Sequence, residues 1–342
     1  MLSNKLAIAG LSLGQHPCHS LEHKIEAAAQ AGYAGIEIVY SDLQTYSESH
    51  KLSMLEGAER IRNLCQSVNL EILSLAPFEN YEGDRSPLSD RLEKATHWIE
   101  IARALRAPYL QIPSNYKSNA IGDEDIIISD LQHLAAIGDA KQPRVSIAYE
   151  FLSWGTHCST WETALQYVNA VNRPNFGLCL DTFHIGTKLW GDLFAPSGRF
   201  PDSDAVLKDS LCRFTAEIPV DKIFFLQLSD AERFDPPFSK DHPWYVEGEA
   251  PEFTWSKHAR PFPYEHELGA YLPITDIAKA WIVDIGFQGW ISIEIFDRGM
   301  KSKDSRPETA ASRGIESWKT LQRKLESCEQ LKNIENGRAF GF

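Results

Sequence analysis

The chain has 342 residues, 43% hydrophobic and 24% charged, a length for one large domain or two small ones that needs no disulfide or structural metal to bury a core. A formal net charge of −13 argues against binding a phosphate backbone, and no run approaches the ~18 apolar residues of a membrane span, so neither nucleic acid nor membrane is expected as a partner. Six scattered cysteines without a C-x-x-C pair, and an N-terminus (MLSNKLAIAG) too quickly polar for a signal peptide, suit a reducing cytoplasm.

In chain order, the first apolar run is Lys5–Ala9 (KLAIA). Ser20 then stands where a helix needs a hydroxyl cap, Leu21, Ile25 and Ala28 follow on one face, and Gly32 sits at the left-handed C-terminal position. Further short runs are Gly35–Tyr40, Glu71–Ala76, Tyr109–Pro113, Val145–Phe151, Phe176–Thr182 and Ile223–Asp230. Another Gly-ended helix, Ile285-Gly286-Phe287, precedes the last run, Trp290–Phe296. Eight strand runs separated by helical periodicity predict a closed parallel (β/α)8 barrel, a TIM barrel. No Gly-x-Gly-x-x-Gly follows the first strand, which disfavours a dinucleotide-binding sheet. We expect a single domain over 1–342, with a core of about 5–325 and a polar tail, 326–342, that packs outside the barrel or frays. Between strands seven and eight, Ala231–Leu272 is rich in proline and aromatics and reads as a long irregular loop of functional type.

Parallel barrel strands are buried on both faces and should be almost wholly apolar. Glu150 at the end of strand five, Asp181 at the end of strand six, Gln227 near the end of strand seven and Glu294 near the end of strand eight break that rule. The barrel brings consecutive strand ends to one face, where three carboxylates in an apolar cavity repel one another. A divalent cation relieves the repulsion, and oxygen donors suit Mg²⁺ or Mn²⁺, with Co²⁺ a further candidate. The competing reading is that each residue pairs with an arginine or caps a helix. His184, three residues after Asp181, reads as a ligand, a base or a cap. Arg85, after strand three, and Arg260, after strand seven, are forks that match a carboxylate or are merely solvated.

These residues resemble a known family. Ala76-Pro77-Phe78-Glu79-Asn80-Tyr81-Glu82-Gly83, the stretch from Asn172 to His184, and Gln227-Leu228-Ser229-Asp230-Ala231-Glu232-Arg233 are similar to the fungal 3-dehydroshikimate dehydratases of quinate catabolism. These belong to the xylose isomerase-like, endonuclease-IV-like barrels. The resemblance runs from Leu6 to about Leu325. It implies metal ligation by Glu150, Asp181, Gln227 and Glu294, His184 as catalytic base or acid, and a substrate carboxylate held by Arg85, Ser256 and Arg260. It further implies a lyase that converts 3-dehydroshikimate to protocatechuate, with the oligomeric state left open. The alternative is a keto-sugar or hydroxy-acid isomerase or epimerase of this fold; the keto-sugar enzymes resemble one another in a histidine where this chain has Gln227.

Overall fold

The computed structural model describes residues 2–339 and side chains through residue 328. Eight parallel strands close in sequence order into one barrel: β1 Leu6–Ala9, β2 Gly35–Val39, β3 Glu71–Ala76, β4 Tyr109–Pro113, β5 Ser146–Glu150, β6 Phe176–Asp181, β7 Ile223–Leu228 and β8 Trp290–Ile293. Each lies within the run expected of it, and the ends of β6 and β7 are in register, with Asp181 opposite Gln227. The helix Leu21–Ala31 forms as its sequence requires. Ser20 Oγ accepts from the His23 N–H at 3.3 Å, and Gly32 closes it at φ 93°.

Side chains alternate across a strand, so a residue and its second neighbour share a face. Ala148 and Glu150, Cys179 and Asp181, and Phe225 and Gln227 are such pairs. Ala7, Leu73, Ala148, Cys179 and Phe225 pack together as a small, fully buried apolar layer. The polar residues therefore stand one layer higher, toward the C-terminal ends of the strands. The larger core lies between barrel and helices, with Trp161, Phe214 and Trp281 among its bulkiest members.

One expectation changes. The segment after β7 is not irregular throughout: it contains the helix Pro251–His258, and isolated bridges pair Glu232 with Ala270 and Arg260 with Phe296. Its aromatics form their own cluster, Phe234 lying 5.8 Å from Phe238 and 6.0 Å from Trp255. A final helix runs over Pro307–Ala339, and its earlier turns pack against Leu21–Ala31 outside the barrel. Residues 340–342 lie outside the described part.

Candidate active site

A cavity of about 330 Å³ opens at the C-terminal end of the barrel. Glu150, His184, Arg260 and Glu294 line it, with Trp154 and Phe253 among its aromatic walls.

Four carboxylates converge beneath it. Glu150, on β5, receives Gln111 Nε2 on Oε2 at 2.7 Å, whereas its buried Oε1 accepts no hydrogen bond from the described residues. Asp181 ends β6 and also caps the helix Thr182–Leu189: Oδ1 accepts from the Phe183 N–H and from Ser229 Oγ, each at 2.8 Å. Glu294 follows β8 directly and receives Gln227 Nε2 on Oε1 at 3.3 Å. The fourth, Glu37 on β2, is held by Ser74 Oγ at 2.7 Å and Gln227 Nε2 at 3.0 Å. Burial raises the proton affinity of Glu37, Glu150 and Glu294. Asp181 adds repulsion at Glu37 and Glu150, and Arg260 partly offsets the rise at Glu150 and Glu294.

Arg260 is the cation among them. Only 2% exposed, it lies between the rings of Phe183 and Phe296, 4.6 and 4.8 Å from their centroids. Its Nη2 pairs with Asp181, with Glu294 Oε2 at 3.1 Å and with Ser229 Oγ at 2.9 Å, and Nη1 donates to Ser256 Oγ at 3.1 Å. The expected Ser256–Arg260 pair is thus present at the cavity, but its guanidinium is engaged by the protein's own carboxylates.

His184 is 1% exposed and stands edge-on to Trp154, centroids 4.9 Å apart. Burial pulls its pKa down to about 3, so the ring is neutral at ordinary pH. Its Nδ1 accepts from the Ser153 N–H at 3.2 Å. A backbone N–H can only donate, so Nδ1 supplies a lone pair and the hydrogen of the neutral ring is assigned to Nε2. Nε2 in turn lies 3.3 Å from Glu150 Oε1.

One ligating atom each from Glu150, Asp181 and His184 falls within 4.8 Å of the others. Against four carboxylates stand one guanidinium and a neutral imidazole, and Glu150 Oε1 has free lone pairs. That donor set fits a divalent cation. Gln227, the fourth expected ligand, lies among these carboxylates. Its amide nitrogen faces Glu37 and Glu294, and its Oε1 accepts from Cys179 Sγ at 3.2 Å. Arg85 is exposed, donates from Nε to the Asn119 carbonyl at 2.6 Å, and is not among the residues lining the cavity.

Sequence reasoning missed Glu37 and Gln111, although both break apolar strand runs in the same manner as Glu150. It also missed Trp154, Phe253, Lys257 and Lys301, which line the cavity from loops and a short helix without periodicity.

Comparison with known proteins agrees with this geometry. The sequence profile of the xylose isomerase-like TIM barrel family matches residues 25–321. The chain belongs to that family. It is 39% identical to a 3-dehydroshikimate dehydratase of Neurospora crassa, over 95% of both chains. A 3-dehydroshikimate dehydratase of Pseudomonas aeruginosa is 31% identical over 89% of this chain, which spans 40% of that longer protein. Among solved structures, a fusion of a xylose isomerase-like TIM barrel with 4-hydroxyphenylpyruvate dioxygenase superposes with a TM-score of 0.74 at 26% identity, covering 97% of this chain and 44% of the fusion. The IOLI protein, solved with a bound zinc atom, shares the fold with a TM-score of 0.67 at 20% identity, over 93% of this chain and 97% of its own.

Proposed function

We propose that this protein is a metal-dependent 3-dehydroshikimate dehydratase, a hydro-lyase that releases water and forms protocatechuate. The observation that carries the reading is the match to the Neurospora crassa enzyme over nearly the whole of both chains. The acidic cavity with His184 at its wall supports it.

The elimination breaks a C–H bond beside a ketone and a C–O bond one carbon further on, so charge develops on the ketone oxygen. Glu150, Asp181 and Glu294 are the residues to hold a divalent ion, Mg²⁺ or Mn²⁺ with Co²⁺ as a further candidate. Such an ion supplies Lewis-acid polarisation of substrate oxygens. Gln227 completes the set only if its amide turns its oxygen toward them; otherwise it holds Glu37 and Glu294 in place. His184 is the proton carrier. It acts together with Glu150, whose Oε1 lies 3.3 Å from Nε2. The C–H proton passes to this pair and the Nε2 hydrogen goes to the departing hydroxyl, so that the proton taken from carbon replaces the one that leaves with water. The aromatic wall of Trp154 and Phe253, centroids 5.3 Å apart, offers a flat surface for a six-membered ring that becomes aromatic. Ser256 and Arg260 contribute by fixing the carboxylates, and Arg260 meets substrate through groups left over from that task, such as Nε, which has no partner among the described residues.

The chain is read as one catalytic domain over 1–342, acting in the cytoplasm on a small molecule. No helix among the described residues is long and apolar enough to cross a membrane. The reading is tested by incubating purified protein and divalent metal with 3-dehydroshikimate and following ultraviolet absorbance. Aromatic product is expected; conversion to a non-aromatic isomer would instead favour an isomerase.

A further inference from the structure

We infer that Glu37 is a positioning residue for the metal: it takes the amide hydrogen of Gln227 and so leaves the amide oxygen as the atom that can face the ion. The inference rests on the metal-dependent reading above.

A carboxylate inside a barrel is unfavourable unless it is paired or its charge is put to use. Glu37 is 1% exposed, and the charge that acts on it is another acid, Asp181. It is not among the residues lining the cavity, so it does not meet substrate. Nor does it belong to the ligating group of Glu150, Asp181 and His184. Both of its oxygens are instead turned to neighbours in the barrel. Ser74, opposite it on β3, donates from Oγ to Oε2 at 2.7 Å and holds the carboxylate still. The other oxygen, Oε1, accepts from Gln227 Nε2 at 3.0 Å, across the barrel on β7.

The end of a glutamine side chain has the same shape with nitrogen and oxygen exchanged, and its neighbours decide between the two. Glu37 Oε1 and Glu294 Oε1, at 3.0 and 3.3 Å, face one end of the Gln227 amide, and Cys179 Sγ stands 3.2 Å from the other. Two acceptors therefore select the nitrogen, and a weak thiol donor is left with the oxygen. Glu294 cannot guard that choice alone, because it is one of the carboxylates proposed for the ion. Glu37 is the acceptor that remains. Gln227 stands in register with Asp181, at the same level of the barrel. An amide serves a hard cation through its oxygen, so the residue that fixes the nitrogen also fixes what Gln227 can offer.

The test is Mn²⁺ titration calorimetry on chelator-stripped, full-length protein, with folding verified by urea unfolding. Wild type should bind Mn²⁺, and Glu37→Met should weaken it by about tenfold or more. Glu37→Gln, which keeps an acceptor for Gln227 Nε2, should retain most of the wild-type affinity. Ser74→Ala, which frees the other oxygen of Glu37, should lose less than Glu37→Met; it decides alone if that variant does not fold, and unchanged affinity there would then overturn the role. In Gln227→Met the ion should already bind weakly, and adding Glu37→Met should take away nothing further. Unchanged affinity in a folded Glu37→Met overturns the positioning role. So do equal losses in the Met and Gln variants, or an equal loss with and without Gln227, since either would show the charge of Glu37 acting on the ion directly. Absence of Mn²⁺ uptake by wild type would overturn the metal-dependent reading itself.

Discussion

His184 shows how one backbone contact limits chemistry. With Nδ1 tied to the Ser153 N–H, a neutral ring offers a hydrogen at Nε2 rather than the lone pair a metal requires. Replacing it with glutamine should lower kcat by ~10²–10⁴ while bound metal stays constant by elemental analysis. Loss of metal, with the rate recovered in excess metal, would identify it as a ligand. Arg260 carries a different burden, since its removal strands Asp181 and Glu294 in the barrel mouth. Arg260→Ala should destabilise the metal-free protein by about 3–5 kcal/mol in denaturant unfolding. Arg260→Lys should recover only part of that, because an ammonium cannot span the same partners. Stability of Arg260→Ala equal to wild type would show that the carboxylates are neutral without it.

Glu82 gives a pH signature away from the site. Burial raises its pKa to about 7, despite hydrogen bonds from the Asn115 N–H at 2.6 Å and Tyr149 Oη at 3.0 Å. The folded state therefore binds a proton between roughly pH 4.5 and 7 that the unfolded chain releases. Stability contributed by this group is present at low pH and falls as pH rises through that window, by about 3 kcal/mol in all. In Glu82→Gln that part of the decline should vanish; parallel stability curves for variant and wild type would refute the assignment. At this scale the sequence was informative wherever a charge interrupted a strand. Glu150, Asp181 and Glu294 met as expected, and Glu37 carried the same signal unheeded. Arg85 carried none, because a loop arginine looks the same whether it faces a ligand or a carbonyl.

Among the elements, those with local determinants were readable. The helix Met54–Ser67 begins with a reciprocal cap, Ser53 Oγ accepting from the Glu56 N–H at 3.3 Å and Glu56 Oε2 accepting from the Ser53 N–H at 2.8 Å. Ser53→Ala should cost about 1 kcal/mol of stability and leave turnover untouched, since the cap is remote from the cavity lining. An activity loss at full stability would mean that this helix reaches the site in a way its contacts do not suggest. Strand ends were overestimated by a few residues where the chain leaves the sheet still apolar, as at Ile295, whose N–H is taken by Ser12 Oγ at 2.8 Å. The helix Pro251–His258 was not legible at all. It is eight residues long, starts on proline and is held by tertiary contacts such as Trp255 Nε1 to the Glu232 carbonyl at 2.9 Å. That hidden helix delivers Ser256 and Lys257, so the missed element and the missed site residue have one cause.

For the whole molecule, the repeat of strand and helix was enough to read the barrel, because each parallel strand needs a crossover and eight of them close without an edge. Closure explains why residues as distant as Glu37 and Gln227 share a hydrogen bond at 3.0 Å. It also concentrates negative charge at one end of an already acidic protein, and a bound divalent cation would stabilise the folded state as well as serve catalysis. The most direct measurement of the central claim is turnover of 3-dehydroshikimate by one protein preparation, first stripped with chelator and then reloaded with Mg²⁺ or Mn²⁺, with metal content verified at each stage. Aromatic product should form only in the reloaded protein. Full turnover by verified metal-free protein, or none by fully loaded protein, would contradict the account.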